Sequence, residues 1–106
     1  MSVESDLRKD GIEVVSKLDT LRINSIARNV SIKLCETFPN FNLNQNELFI
    51  KLSRLGMYRA KMPEGKAEAN YFYKNSSIYF NEHIPDEDME EFAIHECIHY
   101  LQEVKD

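Results

Sequence analysis

The segment His95-Glu96-Cys97-Ile98-His99 constrains this chain most, because its two histidines are spaced by one turn of a helix. It follows the pattern H-E-x-x-H, which on a helix binds zinc and supplies a general base. Helical residues turn by about 100° each, so His95 and His99 point only about 40° apart and lie about 6 Å apart along the axis. Both imidazoles can then reach one metal ion, since each Zn–N bond is about 2.0–2.1 Å long.

Glu96 is the candidate general base of this segment. On a helix it points about 60° to the side of His99, which disfavours it as a third metal ligand and places it near a water on the open position of the metal. Zinc can lower the pKa of such a water to about 7. We expect Glu96 to take a proton as the water attacks a carbonyl, and later to pass that proton to the leaving amine.

The residues around the motif favour a helix. Pro85 and the acidic residues Asp86, Glu87 and Asp88 form a start signal, and no Gly or Pro occurs between Met89 and Val104. On a helical wheel, the motif residues share one arc with Phe92. The opposite arc is apolar and consists of Ala93, Ile94, Cys97, Ile98, Leu101 and Val104. The pattern predicts a helix with a site on one face and a core contact on the other.

Composition restricts the class of protein. A chain of 106 residues with 42% apolar and 29% charged residues is typical of one globular domain. The net charge of -5, without a basic cluster, argues against a nucleic-acid partner, and the lack of a long apolar run argues against a membrane partner. Cys35 and Cys97 fit no C-x-x-C pattern, which suggests buried thiols in a reducing, cytoplasmic setting. The oligomeric state is not determined by the sequence.

Two helices are expected before any sheet. Residues 1–18 form a polar N-terminal segment in which the run from Ile12 to Leu18 is a loose helix or a strand, and a domain is expected over 19–106. Apolar residues recur at helical spacing from Leu21 to Phe38, with Asp19 or Thr20 as the cap and Pro39 as the stop. Asn44 and Glu47 form a capping box for a helix from Gln45 to Leu55, and Gly56 is the expected C′ residue.

Three strands are expected next, at residues 57–62, 67–73 and 78–81, because the apolar pattern changes period and turn residues separate the runs. Their short connections favour an antiparallel meander. The predicted fold class is α+β, with two N-terminal helices, a small antiparallel three-stranded sheet and then the H-E-x-x-H helix. Core packing is the expected role of the strand aromatics Tyr71, Phe72, Tyr73, Tyr79 and Phe80.

This order of elements, with the motif at His95, Glu96 and His99, resembles the N-terminal subdomain of the zincin metallopeptidases, most of all the small gluzincins. The resemblance covers roughly residues 20–104. It implies a zinc-dependent metallopeptidase in which His95 and His99 bind Zn²⁺ and Glu96 is the catalytic base. It also implies that a peptide or protein substrate pairs in extended conformation with an edge strand of the sheet, for which Ile78 to Asn81 is the candidate.

The third zinc ligand is the part of the pattern that the motif does not supply. The metzincin extension requires Gly at position 102 and His at position 105, where this chain has Gln102 and Lys105. Gluzincins take a Glu from a later helix, so we expect these residues to be the first part of a longer catalytic domain. Alternatives within the chain are Glu103, His83, Asp86 and Asp88, although capping explains the two aspartates better.

A second class of function remains open. The motif can be incidental in a non-catalytic protein-interaction module, whose aromatic sheet would dock a partner strand. A hydrolase that acts on something other than a peptide is compatible with the same three residues. Zinc binding distinguishes the interaction module from the peptidase, because only the peptidase requires zinc.

Overall fold

The computed structural model describes residues 9–63, 68–72 and 74–105, with side chains described as far as residue 102. Within these residues the chain is α+β, with three α-helices and one four-stranded mixed sheet. In chain order the elements are β1 (Glu13–Lys17), α1 (Thr20–Thr37), α2 (Gln45–Ser53), β2 (Gly56–Lys61), β3 (Ala69–Phe72), β4 (Ser77–Asn81) and α3 (Met89–Lys105). Short 3₁₀ segments at Pro39–Phe41 and Asp86–Asp88 follow α1 and precede α3.

The two helices before β2 begin where the sequence predicts. The Asp19 side chain accepts a hydrogen bond of 2.7 Å from the Arg22 N–H at the start of α1. Asn44 accepts one of 2.9 Å from the Glu47 N–H at the start of α2. Each carboxyl or amide oxygen thereby satisfies an N–H group that has no partner within its own helix. These N-caps are confirmed.

The expected C′ role of Gly56 is wrong. Helix α2 ends at Ser53, and Gly56 is the first residue of β2. A Cβ at this position would lie 2.5 Å from the Ser77 Oγ and 2.9 Å from the Tyr58 ring. Glycine is needed because β2 and β4 approach closely here.

The predicted three-stranded antiparallel meander is correct for β3 and β4, which pair antiparallel, and wrong for β2, which pairs with β4 and not with β3. The sheet has four strands in the order β1-β2-β4-β3. Strand β4 is parallel to β2 and antiparallel to β3, and β1 is antiparallel to β2. The run from Ile12 to Leu18, which the sequence leaves open between helix and strand, therefore contains a strand that adds to the sheet.

Burial explains why β4 takes a central place. Ile78 and Phe80 are fully buried against the helices, and Tyr79 is 2% exposed on the opposite face, where it stacks on Tyr58 with ring centroids 5.2 Å apart. Tyr79 is buried on that face because Tyr58 of β2 and Phe72 of β3 both pack against its ring. Strand β3, whose Asn70, Tyr71 and Phe72 are half-buried, suits an edge.

The main core lies between the helices and one face of the sheet. It includes Ile26, Val30 and Leu34 of α1, Leu48 and Leu52 of α2, Met57, Ile78 and Phe80 of the sheet, and Met89, Ala93 and Cys97 of α3. This core fixes α3 against α1 and β3. Within the described residues, none of the helices is both long enough and apolar enough to cross a membrane.

Candidate functional site

The histidines of the motif lie together on the exposed side of α3. The Nε2 atoms of His95 and His99 are 3.3 Å apart, and their rings meet at 84° with centroids 4.9 Å apart. Two nitrogens bound to one tetrahedral zinc ion, each at about 2.0–2.1 Å, are separated by about 3.3 Å. The pair therefore fits a shared metal ion, and its solvent exposure leaves the remaining coordination positions accessible.

Glu96 differs from its neighbours, because only 6% of it is exposed. Burial raises the pKa of its carboxyl above the ordinary value, while the Tyr71 N–H and the charges of His95 and His99 act in the lowering direction. The Glu96 Oε1 accepts a hydrogen bond of 2.9 Å from the Tyr71 backbone N–H. The carboxylate thus lies where α3 meets β3, on the buried side of the histidine pair.

The register of β3 shows which way the Tyr71 N–H points. Asn81 N donates to Glu68 O at 2.8 Å, and the antiparallel ladder continues through the pairs Asn70–Tyr79 and Phe72–Ser77. Hydrogen-bonded and non-hydrogen-bonded pairs alternate in such a ladder. Tyr71, opposite Ile78, is therefore in a non-hydrogen-bonded pair, and its N–H points away from β4. Glu96 binds an N–H on the outer edge of the edge strand.

A third protein ligand does not join the pair within the described residues. No group of three or more His, Cys, Asp or Glu side chains that could hold a metal ion occurs there. Asp86 forms an ion pair with Arg59, and His83 is exposed in the turn after β4, where its N–H donates to Asn81. The side chain of Glu103 lies outside the described residues. Two imidazoles fit zinc, but a catalytic zinc site has three protein ligands.

No protein-family model matches this chain, and neither the curated proteins nor the solved structures searched contain a match. The zincin resemblance therefore stays a prediction, in which His95, Glu96 and His99 are the specific motif residues.

The cysteines and the strand aromatics differ in burial. Cys97 is fully buried, as its place on the wheel predicts, and burial raises the pKa of its thiol to about 12. Cys97 and the half-buried Cys35 are both free thiols. Tyr79 and Phe80 are core residues as expected, whereas Tyr71 and Phe72 are only half-buried and Tyr73 lies outside the described residues.

The prediction that Ile78 to Asn81 offers an edge to a substrate is wrong. Strand β4 has β2 on one side and β3 on the other, so its backbone groups are used on both sides. The edge strands of the described sheet are β1 and β3, and β3 is the one that contacts α3. The sequence also does not reveal the Tyr71 contact, because a backbone N–H leaves no residue signature and its direction depends on strand register.

Proposed function

We propose that the chain is the motif-bearing part of a zinc-dependent metallopeptidase. The observation that carries this proposal is the 3.3 Å separation of the His95 and His99 Nε2 atoms beside the buried carboxyl of Glu96. Both imidazoles would hold zinc through Nε2. When bound, zinc supplies a Lewis acid that activates water and polarises a carbonyl.

The chain's own residues supply the proton transfer and the substrate contact. Glu96 would take the proton from the attacking water and return it to the amine that leaves when the C–N bond breaks, a role for which a carboxylate is a suitable base. An extended peptide would pair with the outer edge of β3, which lies next to α3. The third ligand would come from outside the described side chains, and Glu103 is the candidate within the chain.

Metal-competition titration tests the histidine pair. We expect His99→Ala to weaken zinc binding at least tenfold, because it removes one of two imidazole ligands. His83→Ala is the matched control, since His83 is an exposed histidine in the turn after β4 and not on helix α3. Equal zinc affinity of the unsubstituted chain and His99→Ala would contradict the proposal.

Hydrolysis tests the role of Glu96. With zinc present, the Glu96→Gln variant should keep its zinc affinity and lose cleavage of fluorescein-labelled casein, because the amide cannot take a proton from water. Undiminished cleavage by this variant would refute the role of Glu96 as the base.

A protein-interaction module is the second candidate function, favoured by the exposure of β1. All five residues of this edge strand are exposed, including Val14 at 43% and Val15 at 51%. An open strand edge can pair with a strand of a partner protein. A module of this kind would bind its partner equally well with and without zinc, and His99→Ala would leave that binding unchanged.

A further inference from the structure

One backbone N–H serves two purposes at the site. The Tyr71 N–H points outward from β3 and is bound by Glu96 Oε1 at 2.9 Å. A polypeptide segment that extends the sheet at this edge needs the outward N–H and C=O groups of β3 as its hydrogen-bonding partners. The carboxylate of Glu96 and the backbone of such a segment therefore compete for the same donor.

We propose that an extended polypeptide segment binds the outer edge of β3 only by displacing Glu96 from the Tyr71 N–H. The carboxylate closes this edge while the site is empty and is released toward His95 and His99 when a segment binds. The competition follows from the contact alone, and the catalytic use of the released carboxylate rests on the proposed peptidase function.

A single hydrogen bond, from the Tyr71 N–H to Glu96 Oε1, holds the carboxylate at this edge. A hydrogen bond to a carboxylate is shorter and roughly twice as strong as one between neutral groups. Helix α3 is fixed by Ala93 and Cys97, both fully buried, so Glu96 can leave Tyr71 only by rotating its side chain. An uncovered strand edge can pair with strands of other chains and cause aggregation. A carboxylate bound to the outward N–H blocks this pairing.

The histidines give the released carboxylate a place to go. His95 and His99 are both on the exposed side of the same helix as Glu96. Rotation of the Glu96 side chain toward that exposed side brings the carboxylate to solvent, so its charge is not left in an apolar core. Binding of a segment at the edge of β3 and release of the Glu96 carboxylate are therefore coupled.

Binding of labelled casein to the zinc-free protein tests the competition. Casein supplies unfolded segments, EDTA removes zinc, and fluorescence anisotropy reports binding without cleavage. We expect Glu96→Ala to bind casein about tenfold more tightly than the unsubstituted chain, because a hydrogen bond to a charged group no longer has to be broken. Glu91→Ala is the control, since it removes an exposed carboxylate from the same helix and should bind like the unsubstituted chain.

Amide hydrogen exchange tests the contact without any ligand. In Glu96→Ala the Tyr71 amide should lose at least tenfold of its protection, while the Asn70 and Phe72 amides, which take part in pairs with β4, should keep theirs. Unchanged exchange at Tyr71 would overturn the inference. So would equal casein affinity in the unsubstituted chain and Glu96→Ala, or a lack of casein binding in all three proteins.

These measurements separate the inference from the proposed function, because neither involves zinc or hydrolysis. If casein binds more tightly to Glu96→Ala but is never cleaved by the zinc-loaded chain, the competition stands and the peptidase proposal fails. If casein is cleaved but its binding does not depend on Glu96, the peptidase proposal stands and the competition fails.

Discussion

The guanidinium of Arg59, on strand β2, forms an ion pair with Asp86, the first residue of the 3₁₀ segment that leads into α3. The same side chain donates hydrogen bonds of 3.3 Å to the Glu82 carbonyl and 3.0 Å to the Ile84 carbonyl. Arg59 thus ties the sheet to the loop from which the motif helix starts. These contacts add to the buried core that holds α3 against the sheet.

We expect Arg59→Met to lower the free energy of unfolding by about 2 kcal/mol, because two backbone carbonyls lose a charged donor while the aliphatic stem is kept. Urea denaturation followed by circular dichroism measures the change. Arg54→Met is the control, since Arg54 is exposed at the end of α2, and it should shift stability by less than about 0.5 kcal/mol. An equal effect of the two substitutions would show that Arg59 does not support the loop.

The close approach of β2 and β4 gives a second prediction. Gly56→Ala should destabilise the protein by about 1–3 kcal/mol, because the added Cβ lies 2.5 Å from the Ser77 Oγ. Ser77→Ala removes that oxygen, so the double variant should lose at least about 0.5 kcal/mol less than the sum of the two single changes. Urea denaturation of the four proteins completes the cycle. Strict additivity would mean that the two residues do not meet.

The pH dependence of stability should report the buried thiol of Cys97. Its pKa is raised to about 12 in the folded protein, chiefly by burial and further by the Glu96 charge, whereas an unfolded cysteine ionises near about 8.5. Above pH 8.5 the unfolded chain releases a proton that the folded protein keeps, so stability falls as pH rises. The protonated Cys97 thiol contributes fully to stability below the pKa of the unfolded chain. This contribution is lost as pH rises toward the pKa of the folded protein.

Cys97→Ala should flatten this dependence. Between about pH 8.5 and pH 10, the free energy of unfolding should fall more steeply with pH in the unsubstituted chain than in Cys97→Ala. The two slopes should differ by up to about 1.4 kcal/mol per pH unit. Urea denaturation at intervals of half a pH unit measures both slopes. Cys35 is present in both proteins and cancels from the comparison, so identical slopes would show that the thiol ionises equally in both states.

Thiol labelling gives an independent measure of the same burial. Cys97 is fully buried, while Cys35 is half-buried near the Leu43 carbonyl. Cys97→Ala keeps only Cys35, and Cys35→Ser keeps only Cys97. Under native conditions Cys35 in the first variant should react with a chromogenic disulfide at least tenfold faster than Cys97 in the second, because a buried, protonated thiol is a poor nucleophile. In about 8 M urea, which unfolds both variants, the two reaction rates should become equal. Equal native rates would place Cys97 at the surface.

Local patterns predicted the helices well. Asp19 and Asn44 cap helices at the expected residues, because capping requires only neighbours in sequence. The helical spacing of His95 and His99 likewise predicts that their rings meet, since four residues make about one turn. The burial of Cys97 follows from the apolar arc of the same helix.

Strand pairing was predicted poorly, and β4 shows why. Short connections suggested that each strand pairs with the next, yet β4 lies between β2 and β3. The buried run Ile78, Tyr79, Phe80 has a strand on each side, and no local turn signal specifies that position. Strand β1 was ambiguous because all five of its side chains are exposed.

The sequence by itself determined the helix with its histidine pair, because helix geometry fixes where residues four apart point. The tertiary structure alone decided what Glu96 touches. Its carboxylate meets the Tyr71 N–H only because β3 lies at the sheet edge in a register that turns this N–H outward, toward α3. That contact joins residues 25 positions apart. Every residue except proline has a backbone N–H, so the sequence does not indicate which one Glu96 binds.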